Sequence, residues 1–367
     1  MFFSSYMKKK VLFFVSGGVG GAERVTITIA KLIDKDLFDV KLVITDFPDC
    51  PLSKFVPKDI PVTYLSKKHL RWGCMMKMKK ILNVEQADYA FASMTFVCIL
   101  LLVVCKFLVN GVKPIVRGQI NPHYWTRHTG WLKWKGFIVE KVNRILFPTA
   151  YKAVAQTPVM REGMIKYFGV NPKKCICLYN PIDKKNIDEK IKEVCPYDDK
   201  DYFRYVAVGR CQYQKGFDLL IEAMSKVVQF NPKSHLYIVG MLNNDEYGSL
   251  LKKLCEDLNL KNNVSFVGFQ TNPYKYIYHA NCFVLSSRDE GLPNVLIEST
   301  YMHRQAIAYT CIPIIEDIIQ DSVNGLLVEP ENIEKLADAM IKIQSLDLNT
   351  ASKYKPSEDK EFNALFD

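Results

Sequence analysis

The 367-residue chain has no Cys-x-x-Cys pair, although it holds 11 cysteines. Their odd number and scatter exclude a disulfide framework. Most of them, such as Cys98, Cys105 and Cys282, lie in apolar runs, where a thiol behaves as a small hydrophobe in a reducing compartment. The six histidines show no zinc-ligand spacing. No nucleic-acid-binding motif is present. The N-terminus, MFFSSYMKKKVLFFVSGG, lacks the continuous apolar stretch of a signal peptide. With 49% hydrophobic and 24% charged residues, disordered and collagenous classes are excluded, and the length suits about two domains. A single long apolar run spans 89–109. Lys106 interrupts it and another apolar strand follows. It is therefore read as a strand (Tyr89–Ser93), a turn and a buried helix (Thr95–Leu108) rather than a membrane span.

Acidic residues are scarce in the first half. Residues 1–183 carry 28 Lys and Arg against 12 Asp and Glu, whereas 184–367 carry 21 against 27. A basic half joined to an acidic one points to an anionic partner for the first.

Apolar strands alternate with helical stretches throughout. In the first half, strands are expected at Val11–Ser16, Val40–Thr45, Pro61–Leu65, Tyr89–Ser93, Pro114–Arg117, Ala153–Gln156 and Cys175–Tyr179. The second half repeats the rhythm with strands at Tyr205–Gly209, His235–Val239, Val264–Phe269, Cys282–Ser286 and Ala306–Tyr309. Its helices are expected at Phe217–Val228, Tyr247–Leu258, Val295–Met302 and Ile333–Ile343. This pattern predicts two doubly wound α/β domains, 1–183 and 184–367. Lys184–Lys200 reads as a charged linker, and the polar tail Ala351–Asp367 as a fraying end.

Three loops carry chemistry. Gly17-Gly18-Val19-Gly20-Gly21 joins the first strand to a helix at Ala22–Leu32, so its N–H groups can approach a phosphate or a sugar. Its spacing is not the dinucleotide fingerprint. Val208–Phe217 leaves another strand's carboxyl end, where open α/β sheets bind ligands, and offers Arg210 and Lys215 to a diphosphate. Ser286–Glu298 does the same with Glu290 in the loop and Glu298 inside the following helix. N–H groups around Gly291, Leu292, Asn294 and Val295 are available to a phosphate. Asp34-Lys35-Asp36 and Asp199-Lys200-Asp201 match the spacing of a metal-bridging pair but lie in charged connections, so they read as solvated surface.

Together, GGAERV, VGRCQYQKGFDLLIEA, SSRDEGLPNVLIES and NGLLVEP resemble the family 4 glycosyltransferases over about Val11 to Met340. The resemblance implies the GT-B fold, with two Rossmann-like domains facing across a cleft. It implies that the first domain binds the acceptor and the second a nucleoside-diphosphate sugar. It assigns Arg210 and Lys215 to the diphosphate, Glu290 to the donor sugar, Glu298 to the ribose, and Gly20 and Gly21 to the loop nearest the reacting sugar. It implies a retaining front-face displacement, mostly by positioning and charge stabilisation, with no metal and no cofactor. The usual histidine on the first domain's edge is missing. Arg117, Asn121 and His123 are the candidates on the acceptor side. His303-Arg304 replaces a small Cys-Gly pair, Ala306 a proline, and the usual final helix is not evident in the tail.

Basic residues mix with aromatics in 67–72, Lys77–Lys80 and 121–136, the last with Trp125, Trp131 and Trp134. Tryptophan with lysine and arginine suits an anionic membrane surface. The resulting expectation is a cytoplasmic hexosyltransferase, peripheral at the inner membrane face, using a UDP-sugar, with a GDP-sugar as the alternative donor, and a polyprenyl-diphosphate-linked saccharide. The alternatives are a GT-B nucleotide-sugar epimerase and a catalytically silent nucleotide-sugar-binding partner.

Overall fold

The computed structural model describes residues 8–66, 72–118, 131–198 and 201–367, without the side chains of 72 and 131–137. The chain divides into two units. Met1–Pro181 together with Pro356–Asp367 forms one, and Ile182–Lys355 the other.

The first unit runs β1 (Lys9–Val15), α1 (Gly21–Leu32), β2 (Phe38–Ile44), β3 (Val62–Tyr64), α2 (Trp72–Glu85), β4 (Tyr89–Ala92), α3 (Thr95–Phe107), β5 (Lys113–Arg117), α4 (Trp131–Leu146), β6 (Lys152–Ala155), α5 (Pro158–Phe168) and β7 (Cys175–Cys177). Its seven strands are all parallel, in the order β3-β2-β1-β4-β5-β6-β7. Parallel pairing requires crossover helices, which cover both faces of the sheet. Hence β1 is apolar along its length. Val11, Phe13 and Val15 point into one core, and Leu12 and Phe14 into the other, beneath α2, α3, α4 and α5. The apolar run at 89–109 divides into β4, a turn and the 13-residue α3, as expected. Among the described residues no helix is long and apolar enough to cross a membrane.

The second unit runs α6 (Lys184–Lys190), β8 (Phe203–Val208), α7 (Phe217–Phe230), β9 (Ser234–Val239), α8 (Glu246–Asp257), β10 (Val264–Gly268), α9 (Tyr274–His279), β11 (Cys282–Leu285), α10 (Asn294–Tyr301), β12 (Gln305–Tyr309), α11 (Ile314–Ile318), β13 (Gly325–Val328) and α12 (Ile333–Ile343). Its six parallel strands follow the order β10-β9-β8-β11-β12-β13. Leu220, Ile221, Met224 and Val227 of α7 pack on Ala207, Ile238 and Val284. Tyr205, buried in β8, satisfies its hydroxyl between the Met340 carbonyl and the Gln344 side-chain amide.

Two expectations about organisation are corrected. Lys184–Lys190, read as linker, is a helix, because Asp183 caps it by accepting from the Asn186 N–H at 3.3 Å and Ile187 is buried. The tail does not fray. Its last residues form α13 (Asp359–Asn363) and a final turn that belong to the first unit. Phe362, Leu365 and Phe366 are buried in the core beside β1. The Phe366 ring centroid lies 5.4 Å from that of Phe38, 5.5 Å from that of Tyr89 and 6.1 Å from that of Phe13. Each such side chain contributes roughly 1.5–3 kcal/mol by leaving water. Polar residues dominate this tail, so its three apolar anchors carry little weight in a composition-based reading.

Candidate active site

In an open parallel sheet the ligand crevice lies beyond the strand carboxyl ends, where the strand order reverses. In the second unit that point falls between β8 and β11. The loops leaving these two strands, 209–216 and 286–293, are the two that carry Lys215 and Glu290.

The loops are bound to each other. The Arg288 N–H donates to the Gln214 carbonyl at 2.8 Å, and the Gln214 side-chain amide donates to the Asp289 carbonyl at 2.9 Å. The Ser286 hydroxyl donates to the Lys215 carbonyl at 3.0 Å. Gly216 makes this approach possible. Its φ is +60°, and a Cβ there would stand 2.1 Å from the Ser286 carbonyl oxygen. Across the junction, Lys215 Nζ lies 2.6 Å from Glu290 Oε1, which also accepts from the Ser287 hydroxyl at 2.7 Å. Cys311 lies close to this pair. Burial pushes its thiol up to about 12, helped by the Glu290 and Asp289 charges and opposed by Lys215.

Beneath the loops sits a further cation, Arg288. Arg288 binds Asp218 through two parallel hydrogen bonds, 2.9 and 2.7 Å. It also donates to Glu331 at 2.9 Å and to the Tyr213 carbonyl at 2.8 Å, and its guanidinium lies 3.9 Å from the Tyr213 ring centroid. Burial opposes the Arg288 charge, but Asp218 and Glu331 outweigh it and hold the group above its ordinary range. Burial likewise raises the Asp218 carboxyl, yet Arg288 and the Tyr247 hydroxyl outweigh it and hold the acid below its ordinary range. Arg288 thus ties the first turn of α7 and the Tyr213 turn to the loop that carries Glu290. The available signal was an arginine two residues before Glu290 and an aspartate at the second position of α7.

The other second-unit candidates lie in these two loops or in α10, which follows the second of them. Arg210 is exposed and makes no ion pair among the described residues. Glu298 lies inside α10 and accepts from the Tyr274 hydroxyl at 3.2 Å. Gly291 is half-buried and Leu292 buried before Pro293; Asn294 and Val295 open α10. The geometry therefore unites Lys215 with Glu290.

Residues 19–186 match the family model described as Glycosyltransferase Family 4, and 187–359 the model described as Glycosyl transferases group 1. This chain belongs to glycosyltransferase family 4. The transferase is 28% identical to the Campylobacter jejuni N-acetylgalactosamine-N,N'-diacetylbacillosaminyl-diphospho-undecaprenol 4-alpha-N-acetylgalactosaminyltransferase, over 89% of this chain and 87% of that relative. It is 26% identical to a glycosyltransferase of Haemophilus influenzae, over 96% of this chain and 94% of the other. Among solved structures it resembles Anabaena HepE in complex with UDP and glucose, with a TM-score of 0.77 and 18% identity over 97% of both chains. The shared fold is GT-B.

The first unit of the transferase holds the remaining candidates. Gly20 caps α1 and Gly21 begins it. Glu23 is buried and turns back on the glycine loop, accepting from the Gly20 N–H at 3.1 Å and the Ser16 hydroxyl at 2.8 Å. Arg117 is the described one of the three acceptor-side candidates. It is 1% exposed at the end of β5 and donates to the Ser93 hydroxyl at 3.2 Å and to Asn180. Asn180 in turn donates to Gln156, and Gln156 to the Gly118 carbonyl. This buried network ties the end of β5 to Ser93, Gln156 and Asn180. Asn121 and His123 lie outside the described residues, as do the 67–71 cluster and most of 121–136. At the departure His303-Arg304, His303 takes a left-handed backbone, φ 54°, at the end of α10. Arg304 lies 5.2 Å from the Tyr278 ring centroid.

Proposed function

We propose that this chain is a retaining, metal-independent hexosyltransferase that moves a hexosyl or N-acetylhexosaminyl group from a UDP-sugar to a lipid-linked saccharide during polysaccharide assembly. The observation that carries the reading is the Lys215–Glu290 pair at the switch point of the second sheet. One partner has the charge to meet a diphosphate, the other the oxygens to accept from a sugar hydroxyl. In this reading Arg210 and Lys215 stabilise the departing nucleoside diphosphate. Glu298 accepts from the ribose, and N–H groups of Gly291, Leu292, Asn294 and Val295 face the phosphates. Gly20 and Gly21 approach the reacting sugar.

The step is a displacement on one face of the ring. The bond from the anomeric carbon to the diphosphate oxygen breaks, and a bond to the acceptor oxygen forms on the same side. The acceptor proton passes to the departing phosphate oxygen. No side chain needs to become a covalent intermediate, so positioning carries the rate. The Campylobacter relative, named for a diphospho-undecaprenol acceptor, and the UDP bound to HepE support the choice of substrates. They and the basic first half support work at the cytoplasmic face of a membrane.

The test incubates the full chain with UDP-glucose, UDP-galactose and their N-acetylated counterparts, in the presence of EDTA and a polyprenyl-diphosphate-linked saccharide. The expected product is an α-linked saccharide, read by NMR, with turnover unaffected by the chelator. A β-linked product or a chelator-sensitive rate overturns the mechanism. Interconversion of donors without acceptor identifies an epimerase. UDP-sugar binding without turnover identifies a silent binding partner.

A further inference from the structure

The helices on one face of the first sheet carry an exposed apolar stripe that their core packing does not use. α3 (TFVCILLLVVCKF) is apolar apart from Thr95 and Lys106. Its inner side fills the core with Val97, Cys98, Leu101 and Leu102. On its outer side, at helical spacing, Phe96 is 50% exposed, Ile99 and Val103 are half-buried, and Phe107 is 66% exposed. α3 packs between α2 and α4. Each neighbour adds to the same outer layer: Met76 and Val84 from α2, Ile138 and Ile145 from α4, all exposed. Scattered exposed apolar residues are ordinary, but a contiguous set on three adjacent helices marks a contact surface.

The charges on this layer are of one sign. Lys80, Lys106, Lys141 and Arg144 are exposed on the three helices. Among their described residues no carboxylate is exposed: Glu85 is paired with Lys41 at 2.5 Å, and Glu140 is half-buried. Beyond the three helices, Asp88 just past α2 and Glu162 on α5 are exposed acids, the second accompanied by Lys166. Lys106 Nζ lies 5.2 Å from the Phe107 ring centroid, a cation held at the edge of the apolar stripe. Rings and aliphatic chains rimmed by lysine and arginine match the boundary between acyl chains and anionic headgroups.

We propose that the outer face of α2, α3 and α4 is a docking surface for an anionic lipid bilayer, with α3 lying in its plane. The inference deepens the reading above, on which it rests for its purpose, by naming the surface at which the enzyme meets a lipid-borne acceptor. Phe96, Phe107, Ile138 and Ile145 enter the headgroup boundary, and Lys80, Lys106, Lys141 and Arg144 meet the headgroups.

The test is co-sedimentation of the full chain with vesicles of phosphatidylcholine alone or with phosphatidylglycerol. The variants are Phe96→Ser with Phe107→Ser, and Lys106→Glu with Lys141→Glu. The wild type should bind the anionic vesicles and release them at high salt. Each double variant should bind about tenfold more weakly or less, while its melting temperature and UDP-induced thermal shift stay unchanged. Variants that sediment like the wild type overturn the proposal, as does equal binding to neutral vesicles. A dimeric wild type that Phe96→Ser with Phe107→Ser renders monomeric makes this face an interface between copies, and also overturns it. The UDP-induced shift separates the two readings. Its absence in the wild type defeats the UDP-sugar reading, whereas its presence without vesicle binding defeats the docking surface alone.

Discussion

The two sheets use the same junction in opposite ways. In each, the loop after the first strand at the switch point leads into a helix: Ser16–Gly20 after β1, Gly209–Gly216 after β8. In the first unit an acid closes the loop on itself, with Glu23 occupying the Gly20 N–H and the Ser16 hydroxyl. In the second a cation reaches out of the loop to an acid on the neighbouring one, Lys215 to Glu290. The first arrangement makes a self-contained turn. The second makes a site whose two halves come from different crossovers and must be held in register, which is the work of Gly216 and Arg288.

The largest effect is expected where the register is tightest. Gly216→Val places a side chain on the Ser286 carbonyl in a left-handed backbone and should cost about 4 kcal/mol or more. Gly20→Ala puts its Cβ 2.6 Å from the movable end of the Glu23 side chain and should cost only about 1–2 kcal/mol. Equal melting-temperature losses for the two would erase the contrast. Next, Lys215→Met should lower transfer roughly a hundredfold to a thousandfold while preserving the fold. A rate within about threefold of wild type would remove Lys215 from the chemistry.

Arg288→Met leaves buried Asp218 without its bidentate partner and should cost about 3 kcal/mol in urea unfolding. It should also change the pH dependence. In the wild type the depressed Asp218 carboxyl contributes stability that is complete above about pH 5 and is lost as pH falls through its lowered value. The variant should show a shallower decline below about pH 5; an identical slope would mean that Arg288 does not hold the acid. The smallest effect is expected for Glu23→Gln, about 1 kcal/mol, because the amide oxygen can keep one of the two loop hydrogen bonds. A larger loss than for Arg288→Met would reverse the order of the two junctions.

Legibility followed how local each signal was. Strands such as Tyr89–Ala92 and Cys282–Leu285 were evident because a parallel sheet buried on both faces needs continuous apolar runs. Lys215 and Glu290 were evident because each follows such a strand at the edge where ligands gather. What escaped depended on distant partners. The burial of Arg117 depends on Ser93 and Asn180, both remote in sequence. Arg288 draws its role from Asp218 and Glu331, 70 and 43 residues away. Phe362, Leu365 and Phe366 sit in a polar tail, and only the core they complete gives them meaning.

Those three residues also set an order of events during synthesis. A chain emerging from the ribosome presents β1 to β7 early, but the hydrophobic layer beside β1 stays open until residues 362–366 have followed. The second unit can close first, so the half made first is finished last. Until then a nascent chain exposes Phe13, Phe38 and Tyr89 to whatever chaperone surrounds it.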